Sequence, residues 1–312
     1  MMDGHAPAPL VAPLHSTISL TGFCNLDCVY CYAKPFSRRF IPYDYVEKIL
    51  RDFKRLGVFV IKLAGGEPLL HPQIERILDL VDELQMEVAF LTNLSMPLRH
   101  LTPLLDRLVA SPYVNIQVSL DSVDPAVNDM TRGQGAAVLS NIELLIERGV
   151  DIQVACVLSK HNIHNADAII DHFYPRVRRF HYMNIMPSVK FDNPNDFLDL
   201  VPAPQDLMAF WDRVKVRKTA AGGRMTVTKP DHERSNCEQA CRFSGCSAGK
   251  LFCDIDDELN VVACNIARDF VIGNLRDNDF ETIWNSAQAA RIRDIGTPLC
   301  HTHLHAAPML DG

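Results

Sequence analysis

The chain has 312 residues, of which 47% are hydrophobic and 22% are charged, enough for one large domain and a small one. Its formal net charge of -7 offers no basic surface, so a DNA or RNA partner is disfavoured. No stretch has the apolar length of a membrane span, and no signal peptide is evident at the start. We therefore expect no membrane segment and a flexible tail over residues 1–13.

Cysteine usage is the main compositional signal. The chain has ten cysteines and no export signal, which favours metal binding or redox chemistry in a reducing compartment over disulfide bonds. We therefore expect a cytoplasmic protein. Seven of the cysteines fall into an N-terminal and a C-terminal group: Cys24, Cys28 and Cys31, then Cys237, Cys241, Cys246 and Cys253.

Strand-like and helix-like patterns alternate from about residue 16 to residue 200. Amphipathic helices are predicted between apolar runs, and Gly57 and Gly149 are natural helix ends. Repeated βα units predict an α/β protein with a parallel sheet, and periodicity does not separate an open sheet from a closed one. Six apolar runs are predicted as buried parallel strands: 16–20, 58–64, 87–92, 114–120, 151–158 and 180–186.

The rest of the chain has a different composition. Residues 201–236 are predicted as a connecting helix followed by a polar linker, and residues 237–305 as a small cysteine-rich domain. Within that domain we expect a hairpin from Leu251–Ile255 and Asn260–Cys264, then a helix from about Phe280 to Arg293. Residues 306–312 are predicted as a second tail.

Three cysteines directly follow the first predicted strand. Cys24, Cys28 and Cys31 can bind three irons of a 4Fe-4S cube and leave the fourth iron open to a substrate or cofactor. Buried structural cysteines or a zinc site are the alternatives. Zinc sites usually pair Cys-x2-Cys with a second pair or with histidines, which this spacing does not match. The pattern therefore favours a catalytic iron–sulfur cluster.

With the aromatic Tyr30 before the last cysteine, the loop resembles the CxxxCxΦC signature of the radical SAM superfamily, in which Φ is aromatic. The resemblance implies a partial (β/α)6 TIM-like barrel over residues 14–200. It also implies a [4Fe-4S] cluster whose open iron binds S-adenosylmethionine (SAM), and a reductant such as flavodoxin or ferredoxin. Reductive cleavage of SAM then gives a 5′-deoxyadenosyl radical that abstracts a substrate hydrogen, so the cofactor carries the hard chemistry.

A second motif follows the second predicted strand. It resembles the GGE motif of the family, which binds the SAM amino group through its backbone and carboxylate. Glycines allow the close approach of a ligand, and Glu67 is expected to face a cation. The residues of this motif are Gly65, Gly66, Glu67 and Pro68.

Polar residues near the ends of later strands are the remaining SAM contacts that the resemblance implies, because ligands of parallel α/β folds gather at the carboxyl ends of strands. Ser119 or Asp121 is expected at the ribose and Arg132 at the methionine carboxylate. Asn93 is a further polar contact, and Asn184 is expected beside the adenine.

The C-terminal cysteines carry a further resemblance. Cys246 and Cys264 flank the predicted hairpin, and a Gly-Asn-Leu turn and an Ile-Trp pair follow, as in the SPASM/twitch extension of radical SAM enzymes. A full extension binds two extra clusters, but its later cysteine block is absent here, and Leu259 replaces a usual glycine. We expect one auxiliary iron–sulfur cluster. Its ligands are expected to be Cys246, Cys264 and Cys300, with His303 or Cys253 as the fourth.

Two outcomes of the radical chemistry stay open. The substrate radical can lose an electron to the auxiliary cluster, which gives dehydrogenation or a cross-link. Alternatively, a thiol can return a hydrogen atom, which gives epimerisation, and Cys253 is the candidate donor unless it is simply a buried residue on a strand. The resemblance implies a substrate that is a small natural product, such as an aminoglycoside-type sugar, or a short ribosomal peptide.

A rival class is a non-catalytic iron–sulfur protein for electron transfer or cluster scaffolding. Such a protein needs no SAM site, so the motif over residues 65–68 favours the enzyme.

Overall fold

The computed structural model describes residues 10–33, 36–186, 198–228 and 247–295. A short 3-10 turn, Pro68–Leu70, follows the second strand. The strands are β1 His15–Thr21, β2 Val60–Gly65, β3 Val88–Thr92, β4 Val114–Ser119, β5 Ile152–Leu158, β6 Arg179–Asn184, β7 Thr226–Thr228, β8 Phe252–Ile255, β9 Asn260–Cys264 and β10 Ala267–Asn274. The helices are α1 Tyr43–Leu56, α2 Ile74–Leu84, α3 Leu98–Ala110, α4 Pro125–Asp129, α5 Gly135–Glu147, α6 Ala168–Phe173, α7 Pro204–Ala220, α8 Phe280–Trp284 and α9 Ala287–Arg293.

These strands form one sheet in the order β10-β9-β8-β1-β2-β3-β4-β5-β6-β7. Strands β1 to β7 are parallel to their neighbours, and β8 adds to β1 in parallel on the other side. Strands β8, β9 and β10 are antiparallel to one another. The expected α/β fold with a partial barrel is confirmed, and the C-terminal hairpin extends the barrel's own sheet.

The two faces of the sheet differ in polarity. One face packs against the helices through fully buried residues: Ile18, Leu63, Phe90, Ile116, Val154 and Phe180. The alternate residues point to the other face and are half-buried polar groups: Thr17, Lys62, Gln117, Gln153 and His181. Period-two alternation produces this division, and we call the polar face the lumen.

The sheet is curved. Lys62 on β2 and His181 on β6 are four strands apart in the sheet order, which in a flat sheet would separate them by about 19 Å. Burial and then the charge of Lys62 nevertheless lower the pKa of His181. This charge effect agrees with a sheet that curves and brings the lumen faces of β2 and β6 toward each other, as in a partial barrel.

All six predicted core strands are present, and the predicted stop of the first helix at Gly57 is confirmed by its left-handed conformation, with φ +73°. The predicted hairpin is also confirmed. The sequence reasoning missed β7, a three-residue strand inside the predicted linker, and β10, which contains the Gly273-Asn274 turn.

The single helix predicted from about Phe280 to Arg293 is wrong, because two short helices occupy this stretch. The Ser286 hydroxyl accepts a hydrogen bond from the N–H of Ala289 at 3.1 Å. A serine in this position caps a new helix N-terminus and so ends the preceding helix. Within the described residues, we find no helix with the length and apolar content to cross a bilayer.

Candidate functional site

The three N-terminal cysteines lie in the loop that follows β1, at the carboxyl edge of the parallel strands. Cys28 is buried, whereas Cys24 and Cys31 are partly exposed. The N–H of Cys31 donates to the carbonyl of Cys28 at 3.2 Å, which closes a turn. Burial raises the pKa of the Cys24 thiol to about 12, so this thiol needs the positive charge of a metal to become a thiolate.

The loop brings three thiols together from one short segment. Among the described residues, no group of three His, Cys, Asp or Glu side chains converges on one metal position. An iron–sulfur cube does not need such convergence, because each thiolate binds a different iron. The donor set therefore fits the predicted [4Fe-4S] cluster.

An apolar wall stands behind the cysteine loop. Cys28 and Tyr30 pack with Leu26, Val157 and Ile185 in a small buried cluster of their own. Val157 lies near the end of β5 and Ile185 directly follows β6. The sequence reasoning missed both, although their place at strand ends was the available signal.

The two glycines of the second motif let β2 meet the cysteine loop. Gly65 has φ +135°, which favours glycine, and a Cβ on Gly66 would lie 2.1 Å from the carbonyl oxygen of Phe23. The N–H of Gly66 donates to the carbonyl of Thr21 at 2.7 Å, and the N–H of Glu67 donates to that of Phe23 at 2.8 Å. These bonds fix the loop directly before Cys24.

The carboxylate of Glu67 accepts hydrogen bonds from the protein, and its expected contact with the SAM amino group stays a prediction. The side chain has no exposed surface. Oε1 accepts from the N–H of Leu69 at 3.1 Å and from the Thr92 hydroxyl at 2.8 Å, and Oε2 accepts from the N–H of Asn93 at 2.7 Å. Glu67 thus links β2 to the end of β3, while burial raises its pKa to about 7.

Asn93 contacts the cysteine loop directly. Its Nδ2 lies 3.0 Å from Oδ1 of Asn25 and 3.6 Å from Sγ of Cys24, and its Oδ1 accepts from the Ser95 hydroxyl at 2.7 Å. Asn25 in turn donates to Ser95 at 2.9 Å. Sequence reasoning missed Asn25 and Ser95, although each lies within two residues of a predicted site residue.

Asp121 is a structural residue in this geometry. Its carboxylate is fully buried and forms an ion pair with Nε of Arg132 at 2.9 Å. Oδ2 accepts from the hydroxyls of Tyr30 and Thr131, and Oδ1 accepts from the N–H of Val157 at 3.0 Å. Both oxygens are engaged by protein donors, and the ribose contact expected of Ser119 or Asp121 stays a prediction.

Arg132 is held over the same aromatic ring. Its Cζ lies 5.4 Å from the centroid of Tyr30, and the side chain is 10% exposed. Tyr30 is therefore bonded at its hydroxyl and covered on its face, which orients the cysteine loop. The predicted contact of Arg132 with the SAM carboxylate stays a prediction.

The remaining SAM-site predictions fall at the same edge. Ser119 ends β4 and is partly exposed, and Pro68 opens the 3-10 turn and is buried. Asn184 ends β6, and its Oδ1 is buried without a hydrogen-bond partner in the described part of the chain. Their roles as SAM contacts stay predictions.

Cys253 cannot serve the expected roles. It has no exposed surface and packs in the main core. On the hairpin, Asp254 pairs with Val262, so Cys253 and Cys264 point to opposite faces of the sheet. Cys253 is therefore neither a hydrogen donor in the lumen nor a co-ligand of Cys264, and burial as a small core residue accounts for it.

Cys264 lies at the end of β9 and is partly exposed. Loss of hydration and then the negative charge of Asp254, with further effects of Cys31 and Cys264, raise the pKa of Tyr32 to about 12, although 39% of this residue is exposed. Sequence reasoning missed Tyr32, although it directly follows Cys31. Several cysteine-group predictions lie outside the described residues: Cys237, Cys241, Cys246, Cys300 and His303.

The cysteine loop is also tied to the C-terminal hairpin. The Ser37 hydroxyl donates to Oδ2 of Asp257 at 2.5 Å, and Arg39 forms an ion pair with Glu258. Both acidic residues lie between β8 and β9. The cysteine loop and the hairpin that carries Cys264 are thus linked by side chains as well as by the β1–β8 pairing.

With this geometry in hand, comparison with known proteins defines the class. The sequence model of the radical SAM superfamily matches residues 18–173, half of the chain, and that of SPASM, an iron–sulfur cluster-binding domain, matches residues 246–302. The chain belongs to the radical SAM superfamily and carries a C-terminal SPASM-type domain. It is an enzyme of that class, with a [4Fe-4S] cluster, SAM and an auxiliary iron–sulfur cluster as cofactors.

The individual relatives have low sequence identity to this chain. The chain is 28% identical over 293 residues to mycofactocin maturase MftC of Mycobacterium ulcerans, across 90% of this chain and 77% of the relative. It is 24% identical over 313 residues to the subtilosin biosynthesis protein AlbA of Bacillus subtilis, across 93% and 64%.

Among solved structures, Streptococcus suis SuiB bound to its precursor peptide SuiA superposes with a TM-score of 0.79. The sequence identity is 19%, and the superposition covers 92% of this chain and 68% of SuiB. At this identity the match supports the fold.

Proposed function

We propose that this enzyme modifies a ribosomally made peptide by oxidation, and that Cys24, Cys28 and Cys31 hold the SAM-binding cluster. When bound, SAM and this cluster supply the radical that removes a hydrogen atom, and the auxiliary cluster supplies an acceptor for the electron left on the substrate. The names of the relatives, a maturase and a bacteriocin biosynthesis protein, support a peptide substrate.

The observation that carries oxidation over epimerisation is the placement of the C-terminal thiols. Cys264 is partly exposed at the end of β9, on the hairpin that pairs with β1, the strand before the SAM-cluster loop. Cys253, the thiol that epimerisation would have used, is enclosed in the core on the other face of the hairpin. Among the described residues, the hairpin thus offers the lumen a cluster ligand instead of a thiol donor.

The chain's own residues orient the SAM site. The backbone of Gly65 and Gly66 lies against the cysteine loop, and Asn93, Ser119, Arg132 and Asn184 surround the same edge as proposed SAM contacts. Glu67 and Asp121 link neighbouring strand ends at this edge through hydrogen bonds. Cys246, Cys300 and His303 join Cys264 as the proposed auxiliary ligands.

The proposal is tested with reconstituted, reduced protein, SAM and candidate peptides encoded beside its gene. We expect 5′-deoxyadenosine and a peptide that has lost hydrogen, with no deuterium taken from D2O at the reacting carbon. Deuterium at that carbon without a mass loss would instead establish epimerisation. An intact cluster that produces no 5′-deoxyadenosine would favour the non-catalytic class.

Iron counting tests the ligand assignment. A variant with alanine at Cys24, Cys28 and Cys31 should keep the iron of the auxiliary cluster, and adding Cys264→Ala should remove it. Cys253→Ala is the matched control on the same hairpin and should keep that iron. A folded triple variant without iron, or iron lost in the Cys253→Ala control, would contradict the assignment.

A further inference from the structure

The lumen carries an ammonium group in the middle of β2. Lys62 lies between Ile61 and Leu63, which are 1% and 0% exposed and pack toward the helices. The side chain of Lys62 therefore points into the lumen. In register it lies between Thr17 of β1 and Ala89 of β3, so its neighbours in this row are small.

Two imidazoles accompany Lys62. His15 begins β1 and His181 lies on β6, and both belong to the lumen face of their strands. Burial, and after it the charge of Lys62, lowers the pKa of each, so both rings are neutral near pH 7 and offer one N–H apiece. Nδ1 of His15 is buried without a hydrogen-bond partner among the described residues.

An acidic residue in the same row of the sheet already has hydrogen-bond partners for both carboxylate oxygens. Asp254 of β8 is adjacent to Thr17 in register, and its two oxygens accept the N–H groups of Thr17 at 3.0 Å and of Asn265 at 2.8 Å. The Asp254 carboxylate is directed at the backbone. The charge of Lys62 also acts on Asp254, but both oxygens of that carboxylate already accept backbone N–H groups, so the Lys62 ammonium can still bind a second carboxylate.

We propose that Lys62, His15 and His181, which we call the lumen triad, bind a carboxylate of the substrate. This inference rests on the proposed function, because it places the peptide in the lumen. Lys62 is three residues before Gly65 on β2, which sets the carboxylate roughly 10 Å from the edge that carries the cysteine loop. A reacting carbon near that edge is then about three residues of extended peptide from the anchored carboxylate.

This anchor defines a substrate class. The ligand is a peptide that presents a carboxylate, either at its C-terminus or on an acidic side chain close to the modified residue. A polycationic sugar would meet the ammonium of Lys62 as a like charge and is disfavoured.

The first test needs no substrate. Lysines of the reconstituted protein are acetylated in the presence of three probes: N-acetyl-alanyl-alanine, its C-terminal amide, and N-acetyl-aspartyl-alanine amide. We expect one or both acids to slow acetylation of Lys62, measured by mass spectrometry of its peptide, and the neutral amide to have no effect. Comparison of the two acids identifies the source of the carboxylate.

Lys215 is the matched control, since it is exposed on α7 far from the lumen face. Its acetylation should be the same with every probe. Equal protection of Lys62 by the neutral amide, or no protection by either acid, would overturn the inference.

The second test uses the peptide substrate identified above. Lys62→Met should raise KM by about 10- to 100-fold, the loss expected for a charge-assisted bond, with a smaller change in kcat. Lys62→Arg should restore much of the affinity, and Lys215→Met should behave as wild type. Iron content confirms that each variant is folded and loaded.

The two proposals fail separately. An unchanged KM in Lys62→Met would overturn the anchor and leave peptide oxidation intact. Protection of Lys62 by acids without modification of any peptide would support the anchor and overturn the proposed function.

Discussion

The hydroxyl of Tyr30 donates a hydrogen bond to the buried carboxylate of Asp121, and this contact ties the cysteine loop to the end of β4. The same carboxylate neutralises Arg132, whose guanidinium lies over the Tyr30 ring. One acidic group therefore fixes both the loop that holds the cluster and a proposed SAM contact. The negative charge of Asp121 has a positioning function.

Removal of that charge should destabilise the protein strongly. Asp121→Asn keeps the shape but leaves the Arg132 charge buried without its partner, which typically costs about 3–5 kcal/mol. Tyr30→Phe loses a single hydrogen bond and should cost about 1 kcal/mol. Denaturant unfolding measures both, and iron per chain should fall more in Asp121→Asn.

Asp106→Asn is the control, because Asp106 also pairs with an arginine, Arg148, but is 67% exposed. A surface pair of this kind contributes less than about 1 kcal/mol. Equal destabilisation by Asp106→Asn and Asp121→Asn would contradict the positioning function.

The close contact at Gly66 leads to a second prediction. In Gly66→Ala the new Cβ would lie 2.1 Å from the Phe23 carbonyl oxygen, so the backbone before Cys24 must move. A displacement of about 1 Å at a reaction centre lowers rates by about 100-fold. We expect a loss of that order in 5′-deoxyadenosine formation, measured by chromatography after reduction.

Gly222→Ala is a suitable control for this change. Gly222 has φ +58°, and a Cβ added there would have no atom within 4 Å, so alanine at this position is strained but meets no neighbour. The variant should lose about 1 kcal/mol of stability and keep its activity. Normal activity in Gly66→Ala would show that the loop tolerates the shift.

The sequence was sufficient to predict the strands and the cysteine loop that form the site. It was not sufficient to predict the hydrogen-bond partners of the polar residues there. Apolar runs and the cysteine spacing located the six strands and the loop, because both signals are local. The partners of Glu67 and Asp121 come from distant segments, such as Thr92 and Val157. A short polar residue at a strand end suits a ligand and a protein donor equally well, so its sequence context does not distinguish them.

The face of a strand is a second feature that local sequence leaves open. Cys253 lies in a correctly predicted strand, but its direction follows from the pairing of β8 with β1 and β9. Those neighbours place Asp254 in the lumen and Cys253 in the core. A one-residue change of register would have reversed both.

Glu67 predicts a pH dependence of stability. Its pKa is about 7 in the folded protein and about 4.5 when unfolded, so between these values the folded state holds a proton that the unfolded state releases. The contribution is fully present below pH 4.5 and is lost as pH rises through about 7, with a total on the order of 3 kcal/mol.

Glu67→Gln cannot titrate, so its free energy of unfolding should lack this decline. We expect the difference in stability between wild type and variant to change between pH 4.5 and 7 and to be constant above pH 8. Denaturant unfolding of both proteins in matched buffers measures the difference. Parallel curves across this range would show that Glu67 is ionised throughout.

Leu259 occupies a turn position that favours glycine. It has φ +68°, a left-handed conformation that is unfavourable by about 1–2 kcal/mol for a residue with a Cβ. Its side chain is nevertheless 1% exposed and packs in the core, and its carbonyl accepts the N–H of Leu275 at 2.9 Å. Burial of a leucine is worth about 2–5 kcal/mol relative to alanine, so packing exceeds the strain.

This balance predicts an unusual order of stabilities. Leu259→Ala loses the packing and keeps the strain, whereas Leu259→Gly loses the packing and relieves the strain. Both variants should be less stable than wild type, but the glycine variant should exceed the alanine variant by about 1 kcal/mol. Thermal and denaturant unfolding of the three proteins gives the order directly.

The neighbouring Leu275 supplies the reference for this comparison, because it is 4% exposed and does not have a positive φ. There the usual order should hold, with Leu275→Ala more stable than Leu275→Gly by about 0.5–1 kcal/mol. If alanine were the better replacement at both positions, the left-handed conformation of Leu259 would carry no strain. Packing of Leu259 would then stabilise the hairpin without an opposing cost in backbone strain.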